Sequence, residues 1–249
     1  MRAKKSLGQH FLTSPSYLRA IADAASVRAG DRVLEVGPGK GSLTAELLSR
    51  GARVIAIEKD DRLIEPLSQR FAAELKHKQL TLVHGDILER DLRTLVGSNA
   101  YKVVANVPYY ISGALIRLFL EAESQPTDMS LLLQKEVVER IARSKKESLL
   151  SLSVKAYGTP LYIKKVPAGA FSPPPSVDSA ILAIKDVSRR NFLIPGHEVR
   201  FFELLHAGFA HKRKVLGKAL RPHIGERAEE IAQKRAEDVS LATWLRLAR

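Results

Sequence analysis

No cysteine occurs among the 249 residues. That excludes a disulfide framework, a thiolate nucleophile and a cysteine-based zinc site, and it fits a reducing compartment. No stretch is long and apolar enough to span a bilayer; ALIRLFL is short and holds Arg117. The opening MRAKKSLGQHFLTS is basic but has no apolar core of signal-peptide length. Internal repeats are lacking, and no low-complexity tract exceeds the PPP at 173–175. Acidic residues are in short supply, 27 against 40 Lys and Arg, for a formal net charge of +13. These deficits lead us to expect a soluble, cytoplasmic protein drawn to a polyanion. A hydrophobic content of 45% is enough for a core and argues against disorder.

Strand-like and helix-like segments alternate through the first two-thirds of the chain. RVLEVG (32–37), RVIAIE (53–58), LTLVHG (80–85), YKVVANV (101–107) and MSLLLQ (129–134) are short, apolar and bounded by breakers, as strands buried on both faces are. SLTAELLSR and DRLIEPLSQRFAAEL between them have helical spacing. Repeated strand–helix–strand units predict an α/β, doubly wound, mostly parallel sheet, with ligands beyond the carboxyl ends of its strands. LYIKKV (161–166) and SAILAI (179–184) flank PAGAFSPPPSVD and predict a closing antiparallel pair. From Asp186 onward only helical patterns remain. We therefore expect a domain over 1–185 and a small helical domain over 186–249.

EVGPGKGSLT follows the first strand and opens a helix. Gly37, Gly39 and Gly41 permit a sharp turn and close approach to a ligand. A dinucleotide loop needs its third glycine at position 42, which is Ser42 here, and no Walker pattern is present. The G-x-G-x-G form resembles the loop of S-adenosylmethionine-dependent methyltransferases. Glu58 ends the second strand, 21 residues after Gly37, where a carboxylate accepts from ribose hydroxyls. Asp86, at the next strand tip, is a candidate acceptor for the cofactor's adenine amine and also a candidate helix cap.

NVPY at 106–109 ends the fourth strand at the same sheet edge. It resembles the Asn/Asp/Ser-Pro-Pro-Tyr tetrad of amino-methyltransferases acting on adenine N6 or cytosine N4, with Val107 in place of the first proline. An exocyclic amine whose lone pair is delocalised into its ring is a poor nucleophile. Two acceptors aimed at its hydrogens, the Asn106 side chain and the Val107 carbonyl, turn lone-pair density outward. Pro108 fixes the local backbone. Tyr109 offers a ring face to an extruded base.

KKSLGQHFLTS, EVGPGKGSLT, NVPYYIS, LLLQKEVVERI and FSPPPSVDSAI occur in this order. Together they resemble the ribosomal RNA adenine dimethyltransferases over nearly the whole chain. The resemblance implies a Rossmann-like methyltransferase sheet with one antiparallel strand and a helical C-terminal domain for RNA recognition. It implies S-adenosylmethionine as cofactor, held by His10, Leu12, Gly37, Gly39, Gly41, Glu58, Asp86 and Asn106. Catalytic roles fall on Asn106, Val107, Pro108 and Tyr109, with Phe171 facing the target base from the other side. The implied reaction is N6,N6-dimethylation of two adjacent adenines near the 3′ end of small-subunit ribosomal RNA in a pre-ribosomal particle, by a monomer without metal. A large-subunit antibiotic-resistance methyltransferase and a non-catalytic assembly factor on the same scaffold remain alternatives. Candidate RNA contacts are Arg140, Arg143, Lys145 and Lys146, and Lys212, Arg213 and Lys214, with a further basic group at Arg2, Lys4 and Lys5.

Overall fold

The computed structural model describes residues 9–211 and 214–249. Its strands are β1 (Phe11–Leu12), β2 (Arg32–Val36), β3 (Arg53–Glu58), β4 (Leu80–His84), β5 (Lys102–Asn106), β6 (Asp128–Gln134), β7 (Thr159–Val166), β8 (Phe171–Ser172) and β9 (Ser179–Lys185). The main sheet has the order β4-β3-β2-β5-β6-β9-β7. Pairings from β4 to β6 are parallel; β9 is antiparallel to both β6 and β7. The order reverses direction at β2, so the tips of β2 and β5 flank a crevice where ligands bind in such sheets. Central strands are buried along nearly their whole length; Val33, Leu34, Val103, Val104 and Leu131 are solvent-inaccessible. β7, at one edge, is mostly exposed and carries Lys164 and Lys165, charges that discourage edge-to-edge pairing.

The helices are α1 (Pro15–Ala24), α2 (Ser42–Ser49), α3 (Asp61–Arg70), α4 (Ala72–Lys76), α5 (Leu92–Val96), α6 (Ser112–Glu121), α7 (Lys135–Ala142), α8 (Leu149–Tyr157), α9 (His197–Phe209), α10 (Leu216–Ile224) and α11 (Leu241–Leu247). The helical pattern expected from Asp61 onward breaks at Phe71, not at the internal Pro66. Phe71 is buried, and its ring packs where a side chain at Gly41 would stand; a Cβ there would come within 2.5 Å of it. Glycine at 41 thus serves packing as well as a left-handed turn (φ +78°).

Contacts divide the chain into two compact units. One holds the residues up to Val138 with Thr159–Val187; the other holds Glu139–Gly158 with Ser188–Arg249. This differs from a single cut between 185 and 186, because Glu139–Gly158 lies with the second unit. There α8 packs on α9 and α11, and Asn191 donates to the Ala156 carbonyl at 2.7 Å. Ser148 and Ser151 form a reciprocal capping box that starts α8. Trp244, Phe201, Leu204 and Leu220 are fully buried in the second unit. Gly208 sits inside α9 because a Cβ would approach the Trp244 ring to 2.6 Å. Among the described residues no helix is long and apolar enough to cross a membrane.

Candidate active site

The glycine loop leaves β2 with positive φ at Gly37, Gly39 and Gly41 (+68°, +61° and +78°). Open space surrounds a hypothetical Cβ at Gly37, whereas one at Gly39 would meet the Phe11 ring at 3.0 Å. Phe11 is carried by the two-residue β1, which pairs with β8, Leu12 opposite Phe171. Residues 9–12 therefore lie as a strap over the glycine loop, with the Lys40 ammonium 4.8 Å from the Phe11 ring centre.

Glu58, 5% exposed, ends β3. Its Oε2 accepts the Gly39 N–H at 3.0 Å and its Oε1 the Asp60 N–H at 2.8 Å. Burial raises its pKa above the usual value, opposed by these N–H donors. Each oxygen keeps a lone pair for a further donor. Asp86 accepts the Leu88 N–H at 3.0 Å and pairs with Lys59 Nζ at 2.6 Å. Burial pushes its carboxyl up, but the lysine and the backbone bond outweigh it and leave the pKa lowered. The helix-cap reading of Asp86 therefore holds, and the residue still faces the cavity.

At the tip of β5, Asn106 donates from Nδ2 to the His10 carbonyl at 3.0 Å. That contact commits the amide nitrogen and presents Oδ1 as an acceptor. Pro108 has φ −56° and opens a single 3₁₀ turn at Tyr109. The Tyr109 hydroxyl bonds Ser179 Oγ at 2.7 Å, and burial raises its pKa. Its ring stacks on His10, centroids 6.2 Å apart, while His10 Nδ1 bonds the Pro173 carbonyl at 2.9 Å.

These elements enclose a cavity of about 300 Å³, at the lower end of small-molecule sites. It brings together His10, Leu12, Gly37, Gly39, Glu58, Asp86, Asn106, Val107, Pro108 and Tyr109. Gly41 stays outside, in the turn behind it. Phe171 is not part of the wall either. It is 5% exposed and packs in the hydrophobic core with Leu12 and Leu18, because β8 points Phe171 inward and Ser172 outward. Arg140, Arg143, Lys145, Lys146 and Lys214 are at least partly exposed, and Lys146 pairs with Glu237. Lys212, Arg213, Arg2, Lys4 and Lys5 lie outside the described residues.

Sequence reasoning passed over Gln9, Glu35, Lys59 and Tyr110, which also line the cavity. Glu35 is 1% exposed, and neither carboxylate oxygen has a hydrogen-bond partner. Burial pushes its pKa up to about 8, and the neighbouring Glu58 charge adds to the rise; the buried Thr44 hydroxyl is likewise unpaired. The signal was present: an acid inside a strand otherwise buried on both faces. A carboxyl that holds its proton when folded destabilises the fold as pH climbs from about 4.5 to about 8. Glu35→Gln is therefore expected to stabilise the ligand-free protein, with a gain growing by about 1.4 kcal/mol per pH unit across that window. Thermal unfolding of both proteins at pH 5 and pH 8 checks this; a pH-independent difference would refute it.

A doubly wound sheet with one reversed strand, β9, a G-x-G-x-G loop, a buried acid at the tip of β3 and an Asn-x-Pro-Tyr strand tip together define a Rossmann-like methyltransferase. The family model described as ribosomal RNA adenine dimethylase matches residues 1–248. The chain is 43% identical to ribosomal RNA small subunit methyltransferase A of Dehalococcoides mccartyi, over 99% of this chain and 88% of the relative. A crystal structure of a dimethyladenosine transferase from Plasmodium falciparum superposes with a TM-score of 0.81 at 26% identity, covering 96% of each chain. The crystal structure of the 23S rRNA methyltransferase ErmE gives 0.79 at 25% identity, over 96% of this chain and 98% of that one. The chain belongs to the ribosomal RNA adenine dimethylase family, whose methyltransferases are of the S-adenosylmethionine-dependent kind.

Proposed function

We propose that the protein dimethylates the N6 amines of two adjacent adenines near the 3′ end of small-subunit ribosomal RNA, using S-adenosylmethionine, during small-subunit assembly in the cytoplasm. The observation that carries this reading is the Asn106 amide, oriented by the His10 carbonyl so that Oδ1 accepts. The cavity also fits the cofactor chemically. Glu35 offers two buried, unpaired carboxylate oxygens, which the cofactor's ammonium would satisfy. Glu58 offers lone pairs to ribose hydroxyls. When bound, S-adenosylmethionine supplies a methyl group on a sulfonium.

The chain's own groups then position the base. Asn106 Oδ1 and the Val107 carbonyl accept from the N6 hydrogens and localise the nitrogen lone pair. Tyr109, fixed by Ser179 and flanked by His10, stacks on the extruded adenine. No general base is needed, because the amine proton becomes acidic once methylated. Positioning and preorganised acceptors supply the rate. Labelled cofactor offered with small-subunit particles, large-subunit particles and naked rRNA, followed by mapping of modified adenines, tests the proposal. Transfer to paired adenines of small-subunit particles is expected; labelling of large-subunit RNA alone would overturn it.

Exposed cations of the second unit would track phosphates. Arg140→Glu with Lys145→Glu is expected to weaken particle binding and to flatten its log–log salt dependence, by roughly 0.7–0.9 for each phosphate no longer neutralised. Cofactor affinity should stay unchanged. Binding titrations at several salt concentrations read the slope, and an unaltered slope would show these residues to be merely solvated.

A further inference from the structure

We propose that Asp60, tied to Gln9, is a positioning residue that couples the cofactor acid Glu58 to Asn106 through the strap at residues 9–12. This rests on the functional reading above and deepens it. Asp60 is 2% exposed. Its N–H holds Glu58 Oε1 at 2.8 Å. Its carboxylate accepts from Arg62 Nε and Nη2 at 2.8 and 2.6 Å, and from Gln9 Nε2 at 2.8 Å. The last bond spans 51 residues of sequence. Asp60 also caps α3, and the bond from Gln9 is additional to that cap. The Arg62 N–H lies 3.3 Å from Asp60 but only 2.9 Å from the neighbouring Asp61 carboxylate.

From Gln9 the connection continues through the next residue. The His10 carbonyl receives the Asn106 amide at 3.0 Å, and the His10 ring stacks on Tyr109. Glu58, Asp60, Gln9, His10 and Asn106 thus form one unbroken series of covalent links and hydrogen bonds. It runs from the ribose end of the cavity to the amine-accepting end. On its other side the strap is held by the two-residue pairing of β1 and by the bond from His10 Nδ1 to the Pro173 carbonyl. If the strap shifts, the acceptor that aims the Asn106 amide shifts with it, and Oδ1 loses its bearing. Arg62 holds the Asp60 carboxyl well below the usual range, so the charge-assisted bond from Gln9 persists at any physiological pH.

Gln9→Ala removes the bond to Asp60, along with Gln9's place in the cavity wall, and leaves the Asp60, Arg62 and Asn106 side chains themselves unchanged. Gln9→Lys keeps a donor within reach of Asp60. The full-length proteins are compared by calorimetry with S-adenosylhomocysteine, by kcat on small-subunit particles at saturating cofactor, and by amide hydrogen exchange of residues 10–12 without ligand. Gln9→Ala is expected to lose about tenfold in cofactor affinity, to lower kcat, and to speed exchange in the strap while the thermal midpoint holds. Gln9→Lys is expected to recover most of each. The proposal is overturned if Gln9→Ala matches the wild type in exchange and kcat, or if Gln9→Lys is as impaired as the alanine variant. A wild-type protein that neither binds S-adenosylhomocysteine nor methylates RNA would sink the functional reading instead, and exchange in the ligand-free strap would still decide the tie.

Discussion

Asn106→Ala is expected to lower methyl transfer by about 100- to 1,000-fold, the usual loss when one preorganised hydrogen bond at a reacting centre disappears. The amide does two things. Its nitrogen is fixed by the His10 carbonyl at 3.0 Å, and its oxygen would thereby be free to accept from the amine. Alanine removes the acceptor and leaves the His10 carbonyl without its partner. The strand tip survives, since β5 is held by parallel pairing with β2 and β6. Circular dichroism should therefore be unchanged and RNA binding largely kept, with the loss in kcat. Near-full activity in a folded Asn106→Ala protein would remove the amine-activation role. Tyr109→Phe is the milder comparison. It keeps the ring face, but it strands the buried Ser179 hydroxyl, at a cost of about 1–3 kcal/mol in stability. The hydroxyl thus matters for holding the ring, a role the sequence alone did not disclose.

Glu58→Ala is expected to weaken cofactor binding by roughly 10- to 100-fold, from charge-assisted hydrogen bonds worth about 1.5–3 kcal/mol each. The carboxylate would accept ribose hydroxyls while also gathering two backbone N–H groups, those of Gly39 and Asp60. Its removal loosens the glycine loop and the start of α3 together. Calorimetry with S-adenosylhomocysteine reads the effect, and unchanged affinity would refute the ribose role. The same residue predicts a pH dependence. Burial raises its pKa, so protonation on acidification begins at a higher pH than for an ordinary glutamate. Affinity should accordingly fall on the acid side, and Glu58→Gln should lack that fall.

Much of the candidate site was legible because its signals are local. Glycines at 37, 39 and 41 announce positive φ, and all three adopt it. Strand ends near Glu58 and Asn106 follow from apolar runs meeting breakers; Glu58 closes its strand as expected, and β5 ends at Asn106, one residue before the expected 107. The helix over 61–75 was less legible. Its break at Phe71 answers to packing against Gly41, which lies 30 residues away in the chain and leaves no trace in periodicity.

The sequence by itself determined the sheet, the position of the cavity at its switch point, the glycine loop, the acid after β3 and the tetrad after β5. Hydrophobic period, turn chemistry and β-branching act over a few residues and are written in order along the chain. Only the tertiary structure decided that β1 pairs with β8, that Gln9 reaches Asp60, that His10 aims Asn106, and that Glu35 is buried without a partner. It also turned Phe171 into the core and joined Glu139–Gly158 to the second unit. Each of these depends on contacts between segments distant in sequence. Which partner a side chain meets is then set by chain closure and packing, not by its neighbours in the chain.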